Sequence, residues 1–268
     1  VTPESTPAPR WIGTSWKMNK TLAEARDYAQ VLAAALQDRP HLTSRLKPFL
    51  IPPATALAAV RQQLDDAGGP GAEIPLGIQN AHWEDAGSWT GEISVPQALD
   101  AGAEIIEIGH SERRQHFGET AEITGLKVRA ALRHDAVALL CIGEPEQIRD
   151  ADRTTEYLLE QADAALGGLS QHQLSRVLIA YEPVWAIGPE GRPAAPDELT
   201  GAFAALHQHY GHTVKALLYG GSVTHSNVAA LLTVPHVGGL FIGRAAWQPH
   251  DFIQLLELAA ETPHLTHP

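Results

Sequence analysis

Short apolar runs rich in β-formers alternate with amphipathic stretches along almost the whole 268-residue chain, and that alternation leaves few folds open. The runs lie at 11–13, 49–51, 74–78, 104–108, 136–142, 177–181, 216–219 and 240–242. Helical patterns occupy 21–37 (with Thr21 as N-cap), 55–66, 123–133, an acidic region reaching 165, 196–210, 228–232 and 252–260. Parallel crossovers are right-handed and every strand needs two neighbours. Eight βα units without linker composition between them therefore predict one closed (β/α)8 barrel. An open doubly wound sheet is the competitor, but no G-x-G-x-x-G follows the first run. Residues 1–10 (VTPESTPAPR) are rich in Pro, Ser and Thr and are expected to form a disordered tail, with 11–268 as the barrel domain.

The formal charge of −12 argues against a nucleic-acid or anionic-membrane partner, though a local anion site stays open. Cys141 is the sole cysteine, so no intrachain disulfide forms, and a reducing, cytoplasmic setting is expected. No apolar run approaches the ~20 residues a bilayer requires, and no signal-peptide pattern opens the sequence.

A barrel carries its chemistry at the C-terminal ends of its strands. Glu182 ends the run at 177–181 and precedes Pro183, which cannot donate to a ladder. The following loop is apolar at 184–187, then holds Gly188, Pro189, Gly191 and Pro193. Alone, such a Glu is usually solvated. Beneath a lid it would be desolvated, with a raised pKa suited to removing a proton near neutrality. His110 follows the fourth run at the start of a helical turn, whose N–H groups could hold the ring neutral as a donor to a carbonyl. Lys17, after the first run, offers a fixed charge for an enediolate or a phosphate. Gly220-Gly221-Ser222 and Gly243, after the last two runs, are anion-cradle candidates, because glycine lets backbone N–H groups approach closely. Each feature has a plain structural reading. Together they suggest proton transfer beside a carbonyl on a small phosphorylated molecule. His207, His209 and His212 lie in or just after a helix, away from the exits, so neither a metal nor another cofactor is expected. Glu107, a charge inside an apolar run, has no account in the sequence.

Several motifs, in order, resemble the triose-phosphate isomerase family: SWKMN at 15–19, QN at 79–80, TGEIS at 90–94, GHSERR at 109–114, CIGE at 141–144, AYEPVWAIG at 180–188 and YGGSV at 219–223. The resemblance implies Glu182 as base, His110 as electrophile, Lys17 as electrostatic stabiliser and Glu112 as a supporting carboxylate. It implies phosphate contacts from the N–H groups of Gly188, Ser222 and Gly243. It also places Thr90 on a long loop that reaches a second subunit in a homodimer.

Three departures bear on the substrate. Ser15 stands where the family has Asn, the lid reads PEGRPA at 189–194 instead of T-G-K-T-A, and Arg244 replaces a second glycine. With GTSWKMNKT at 13–21, these resemble the family branch that interconverts L-erythrulose 1-phosphate and D-erythrulose 4-phosphate. In that reading Ser15 and the altered lid admit one more hydroxymethyl group, and Arg244 joins the substrate contacts. Arg244 also puts the usual phosphate geometry in question, since arginine resists positive φ. Interconversion of the triose phosphates is the alternative, and a non-catalytic sugar-phosphate-binding barrel the more distant one.

Overall fold

The computed structural model describes residues 8–188 and 191–264. Eight strands run β1 Arg10–Ser15, β2 Leu46–Ile51, β3 Gly77–Ile78, β4 Ile105–Ile108, β5 Val137–Ile142, β6 Val177–Tyr181, β7 Ala216–Tyr219 and β8 Gly239–Ile242. All paired neighbours are parallel, in the order β2-β1-β8-β7-β6-β5-β4-β3. The two ends of that order meet through a parallel bridge between Leu50 and Leu76, where the Leu50 N–H donates to Pro75 O at 3.2 Å. One domain, a (β/α)8 barrel, results.

The alternation of each strand sorts its residues into two cores. Trp11, Phe49, Ile105, Leu139, Leu178 and Phe241 belong to the cluster that fills the barrel, while a larger cluster lies between strands and helices. Gly13 is small for a packing reason. A Cβ there would sit 2.1 Å from the ring of Phe49, which stacks on Phe241 with centroids 5.8 Å apart.

Several boundaries differ from expectation, each for a local cause. β2 begins three residues early and runs through Pro48. The Leu50 N–H faces β3, so by alternation Pro48 faces the same side, below the point where β3 begins, and no ladder bond is lost. β3 is shorter than 74–78 because Pro75 lacks a donor, and pairing with β4 starts only at Gly77. After His110, where an exit loop opening with a helical turn is expected, Ser111–His116 forms a short helix, and the helix from Pro196 continues past Leu206 as a π turn, His207–Gly211. The Leu22–Asp38 helix carries the expected Thr21 cap, closed as a capping box with Glu24.

The expected tail 1–10 overlaps β1. Residues 1–7 lie outside the described residues, but Arg10 is the first residue of β1 and is buried. Its guanidinium donates to Thr262 O at 2.7 Å, to Pro263 O at 2.6 Å and, more weakly, to Ala259 O and Leu232 O. Arginine here satisfies the free carbonyls at the end of the Pro249–Glu261 helix and ties the first strand to the last element. Arg10→Ala should cost roughly 2–3 kcal/mol of stability, the scale of charge-assisted hydrogen bonds, read as a lower urea midpoint at unchanged m-value. An unchanged midpoint would show that the tie contributes nothing.

Candidate active site

The strand exits gather at one rim. A cavity of about 330 Å³ there is lined by Ser15, Lys17, His110 and Glu182 and by Gly188, Ser222, Gly243 and Arg244. The residues named as base, electrophile, cation and phosphate contacts therefore open onto one space. Glu112 lies just outside it and Thr90 does not line it.

Glu182 takes its place because the β5–β6 ladder runs one residue beyond the strand. Its N–H donates to Ile142 O at 2.7 Å, after which Pro183 ends the ladder and Val184–Ala186 coils into a 3-10 turn. The side chain is 3% exposed, and its Oε2 has no hydrogen-bond partner among the described residues. Burial, the largest cause, raises its carboxyl above the ordinary value; His110 and Lys17 oppose the rise without cancelling it. Gly220, one residue past β7, leaves the room this side chain occupies, since a Cβ there would lie 2.6 Å from Glu182 Cγ.

His110 caps the Ser111–His116 helix, and the Glu112 N–H donates to its Nδ1 at 3.1 Å. With Nδ1 occupied as an acceptor, the ring proton belongs on Nε2, which lies 3.8 Å from Glu182 Oε2. Lys17 is held at φ 53°, a left-handed conformation that costs a non-glycine residue about 1 kcal/mol. The Gln79 side chain donates to Lys17 O at 3.0 Å, and Lys17 Nζ donates to Glu112 Oε1 at 2.7 Å. Burial pushes the Glu112 carboxyl up, but Lys17 and the nearby histidines outweigh it and hold the group below its ordinary value.

The lid has its own anchors. Glu144 is fully buried and accepts from Trp185 Nε1 at 2.9 Å and from the Tyr181 hydroxyl at 3.1 Å. Arg149 and Arg192 both lie against Trp185, each with its guanidinium about 4.5 Å from the ring centroid. Both arginines also pair with Glu198, whose carboxyl the Arg192 hydrogen bonds pull down to about 2. The altered lid thus supplies its own latch through Arg192, while Pro189 and Glu190 lie outside the described residues. Gly188 sits at φ 85°, a conformation suited to glycine. The Ser222 hydroxyl donates to Ala186 O at 2.8 Å, joining the β7 exit to the lid.

Arg244 answers the concern about positive φ. It opens the 3-10 turn Arg244–Ala246, is exposed, and has no acidic partner among the described residues, so its cation is available at the cavity edge. The sequence missed two groups, Glu119 and Lys127, and left Glu107 unexplained. Glu119 is a buried carboxylate that accepts from Lys127, Arg113 and the Gly109 N–H and so fixes the His110 turn. Lys127 also donates to Asn80 Oδ1 at 2.6 Å. Glu107 points into the barrel beside the site and accepts from the Ser15 hydroxyl at 3.0 Å. An acidic residue in an apolar run was the only signal for it.

The triosephosphate isomerase family model matches residues 10–259. The chain belongs to the triosephosphate isomerase family. A crystal structure of triosephosphate isomerase from Bartonella henselae superposes with a TM-score of 0.79 at 32% identity, covering 94% of this chain and 99% of that one. The L-erythrulose-1-phosphate isomerase of Mycolicibacterium smegmatis is 56% identical over 94% of both chains. That of Mesorhizobium japonicum is 45% identical over 93% of this chain and 97% of its own. Within this triosephosphate isomerase family site, Gly220→Ala should displace the Glu182 carboxylate and lower isomerase kcat about 100-fold. Steady-state kinetics of the variant decide this, and an unchanged kcat would mean the carboxylate does not depend on that gap.

Proposed function

We propose that this chain is a cofactor-independent isomerase of L-erythrulose 1-phosphate, giving D-erythrulose 4-phosphate. The observation that carries the reading is the meeting of Glu182, His110 and Lys17 in one cavity with the glycine-rich exits of β7 and β8. The two relatives named for this substrate, with 56% and 45% identity over nearly the whole chain, support the four-carbon choice.

In this reading the phosphate on C1 rests against the N–H groups of Gly188, Ser222 and Gly243, with Arg244 at the edge. The Glu182 carboxylate removes the C3 proton, and the electron pair of that bond forms the C2–C3 double bond. The C2 carbonyl oxygen becomes the enediolate oxygen, stabilised by His110 Nε2–H and the Lys17 charge. His110 gives its proton to that oxygen and recovers one from the hydroxyl on C3. The carbonyl now forms at C3 while Glu182 returns its proton to C2. No electron leaves the substrate. Burial of Glu182 strengthens it as a base and keeps water from the enediolate. Glu112 acts through Lys17, which it holds in place.

Separate assays with L-erythrulose 1-phosphate and with the triose phosphates test the substrate. The tetrulose phosphate should win in kcat/KM by at least ~10-fold, and triose turnover near the diffusion ceiling of about 10⁸ M⁻¹s⁻¹ would reverse the assignment. Glu182→Gln should cut kcat roughly 10³-fold, within the range for a general base, while 2-phosphoglycolate still binds. Because the Glu182 carboxyl is raised, a falling pH protonates the base early. The acid limb of kcat/KM should then lie above about 4.3, the ordinary Glu value.

We also propose a homodimer. Met18 is 97% exposed, Phe117 68% and Trp89 48%, and Trp89 shares the 80–93 loop with Thr90. Apolar side chains left open beside Lys17 and on that loop suit burial against a second copy. Sedimentation equilibrium should give twice the 28.8 kDa chain mass, and a monomer at micromolar concentration would remove the proposal. The lone buried Cys141 fits a reducing, cytoplasmic setting.

A further inference from the structure

The catalytic cavity has a neighbour. Ser15, Lys17 and His110 line both the space that holds the phosphate exits and a second cavity reaching Ile78, Gln79 and Glu107. None of Gly188, Ser222, Gly243 or Arg244 lines the second space; its exposed mouth, at Met18 and Phe117, is the face proposed above to meet a second copy, and only its buried end, at Ile78 and Glu107, is offered to the substrate. A sugar phosphate gripped at those exits, with its reacting carbons between Glu182 and His110, directs the rest of its carbon chain away from the phosphate. A three-carbon substrate ends at the reacting carbons, whereas a four-carbon ketose carries one more hydroxymethyl group. That group needs space and a polar partner beyond Ser15 and His110.

Glu107 supplies such a partner. It stands on the barrel-facing side of β4, three residues before His110, and is 3% exposed. One carboxyl oxygen is taken by the Ser15 hydroxyl at 3.0 Å, the only hydrogen bond its side chain makes among the described residues. A carboxyl can make several such bonds, so acceptor and donor capacity remains on the side that lines the second cavity. Burial, and next the charge of Glu182, raise the Glu107 carboxyl well above its ordinary value, which favours the protonated form. A neutral carboxyl can both donate to and accept from a hydroxyl, and it adds no negative charge beside a forming enediolate. Ser15 is small enough to leave the passage open and polar enough to hold the carboxyl in one orientation.

Resting on the tetrulose phosphate reading, we propose that Glu107, oriented by Ser15, is the specificity-determining residue that binds the C4 hydroxyl of L-erythrulose 1-phosphate. Sites that hydrogen-bond a substrate hydroxyl discriminate strongly against analogues lacking it, because a buried polar group is then left unpaired. The Glu107–Ser15 pair accordingly sets which ketose phosphate is favoured, and the groups around Glu182 set how fast it reacts.

The test compares L-erythrulose 1-phosphate, its 4-deoxy analogue and dihydroxyacetone phosphate with the full-length wild type, Glu107→Gln and Glu107→Leu. In the wild type the 4-deoxy analogue should lose at least ~100-fold in kcat/KM. In Glu107→Leu that penalty should shrink to within a few-fold, and the tetrulose-to-triose preference should fall by about the same 100-fold factor. Glu107→Gln, which keeps a donor and an acceptor, should retain most of the preference. Equal losses on all three substrates, or a 4-deoxy analogue handled by the wild type as well as its parent, would overturn the role of Glu107. The wild-type comparison stands even where Glu107→Leu does not fold. Failure of the wild type to turn over L-erythrulose 1-phosphate at all would instead overturn the substrate reading, and this inference with it.

Discussion

A ring of parallel backbone hydrogen bonds is the constraint on which everything else here depends. Because the ladder closes through Leu50 and Leu76, every strand must end at the same rim, and residues far apart in sequence are brought face to face there. Ser15 and Glu107 are separated by 92 positions, yet their side chains touch. The closed ring also excludes water from its interior. Two carboxyl groups on inward positions, Glu107 and Glu182, are both raised by that burial. In the proposed reading a single geometric fact thus creates both a strong base and a neutral hydroxyl-binding group near it.

The cations around the rim are treated differently from the carboxyls. Lys17 is held by Glu112 below and Gln79 behind, and Arg192 and Arg149 by Glu198 at the lid. Among the described residues Arg244, unlike Lys17, has no acidic partner, in keeping with the proposed place for an anionic substrate. The lid residue Trp185 is held as well, since Glu144 fixes its indole N–H while the lid arginines lie against its ring.

Much of this was legible in the chain because strand and helix periods are local signals. β6, β7 and the Val228–Leu232 helix match their sequence patterns residue for residue, since each is a compact apolar run between turn residues. The meeting of Glu182, His110 and Lys17 in one cavity was also readable, as each stands at a strand exit within a characteristic motif. What escaped notice depends on distant partners. Arg10 reads as part of a polar tail until the carbonyls at residues 259–263 are brought beside it. Pro48 reads as a strand breaker until the facing strand is seen to start above it. The Ser111–His116 helix has no buried face, so no apolar period announces it. Glu107 is unintelligible without Ser15, and Glu119 without Lys127 and Arg113.

The Arg10 tie also bears on how the chain reaches this state during synthesis. Its first strand pairs with β8, and its guanidinium is satisfied only by carbonyls near the far end of the chain and at Leu232. On a ribosome this strand can pair early with β2, but its other edge stays open, and its guanidinium in water, until β8 and the last helix follow. Barrel closure is therefore a late event for this polypeptide, since it waits on pairing between strands 10–15 and 239–242.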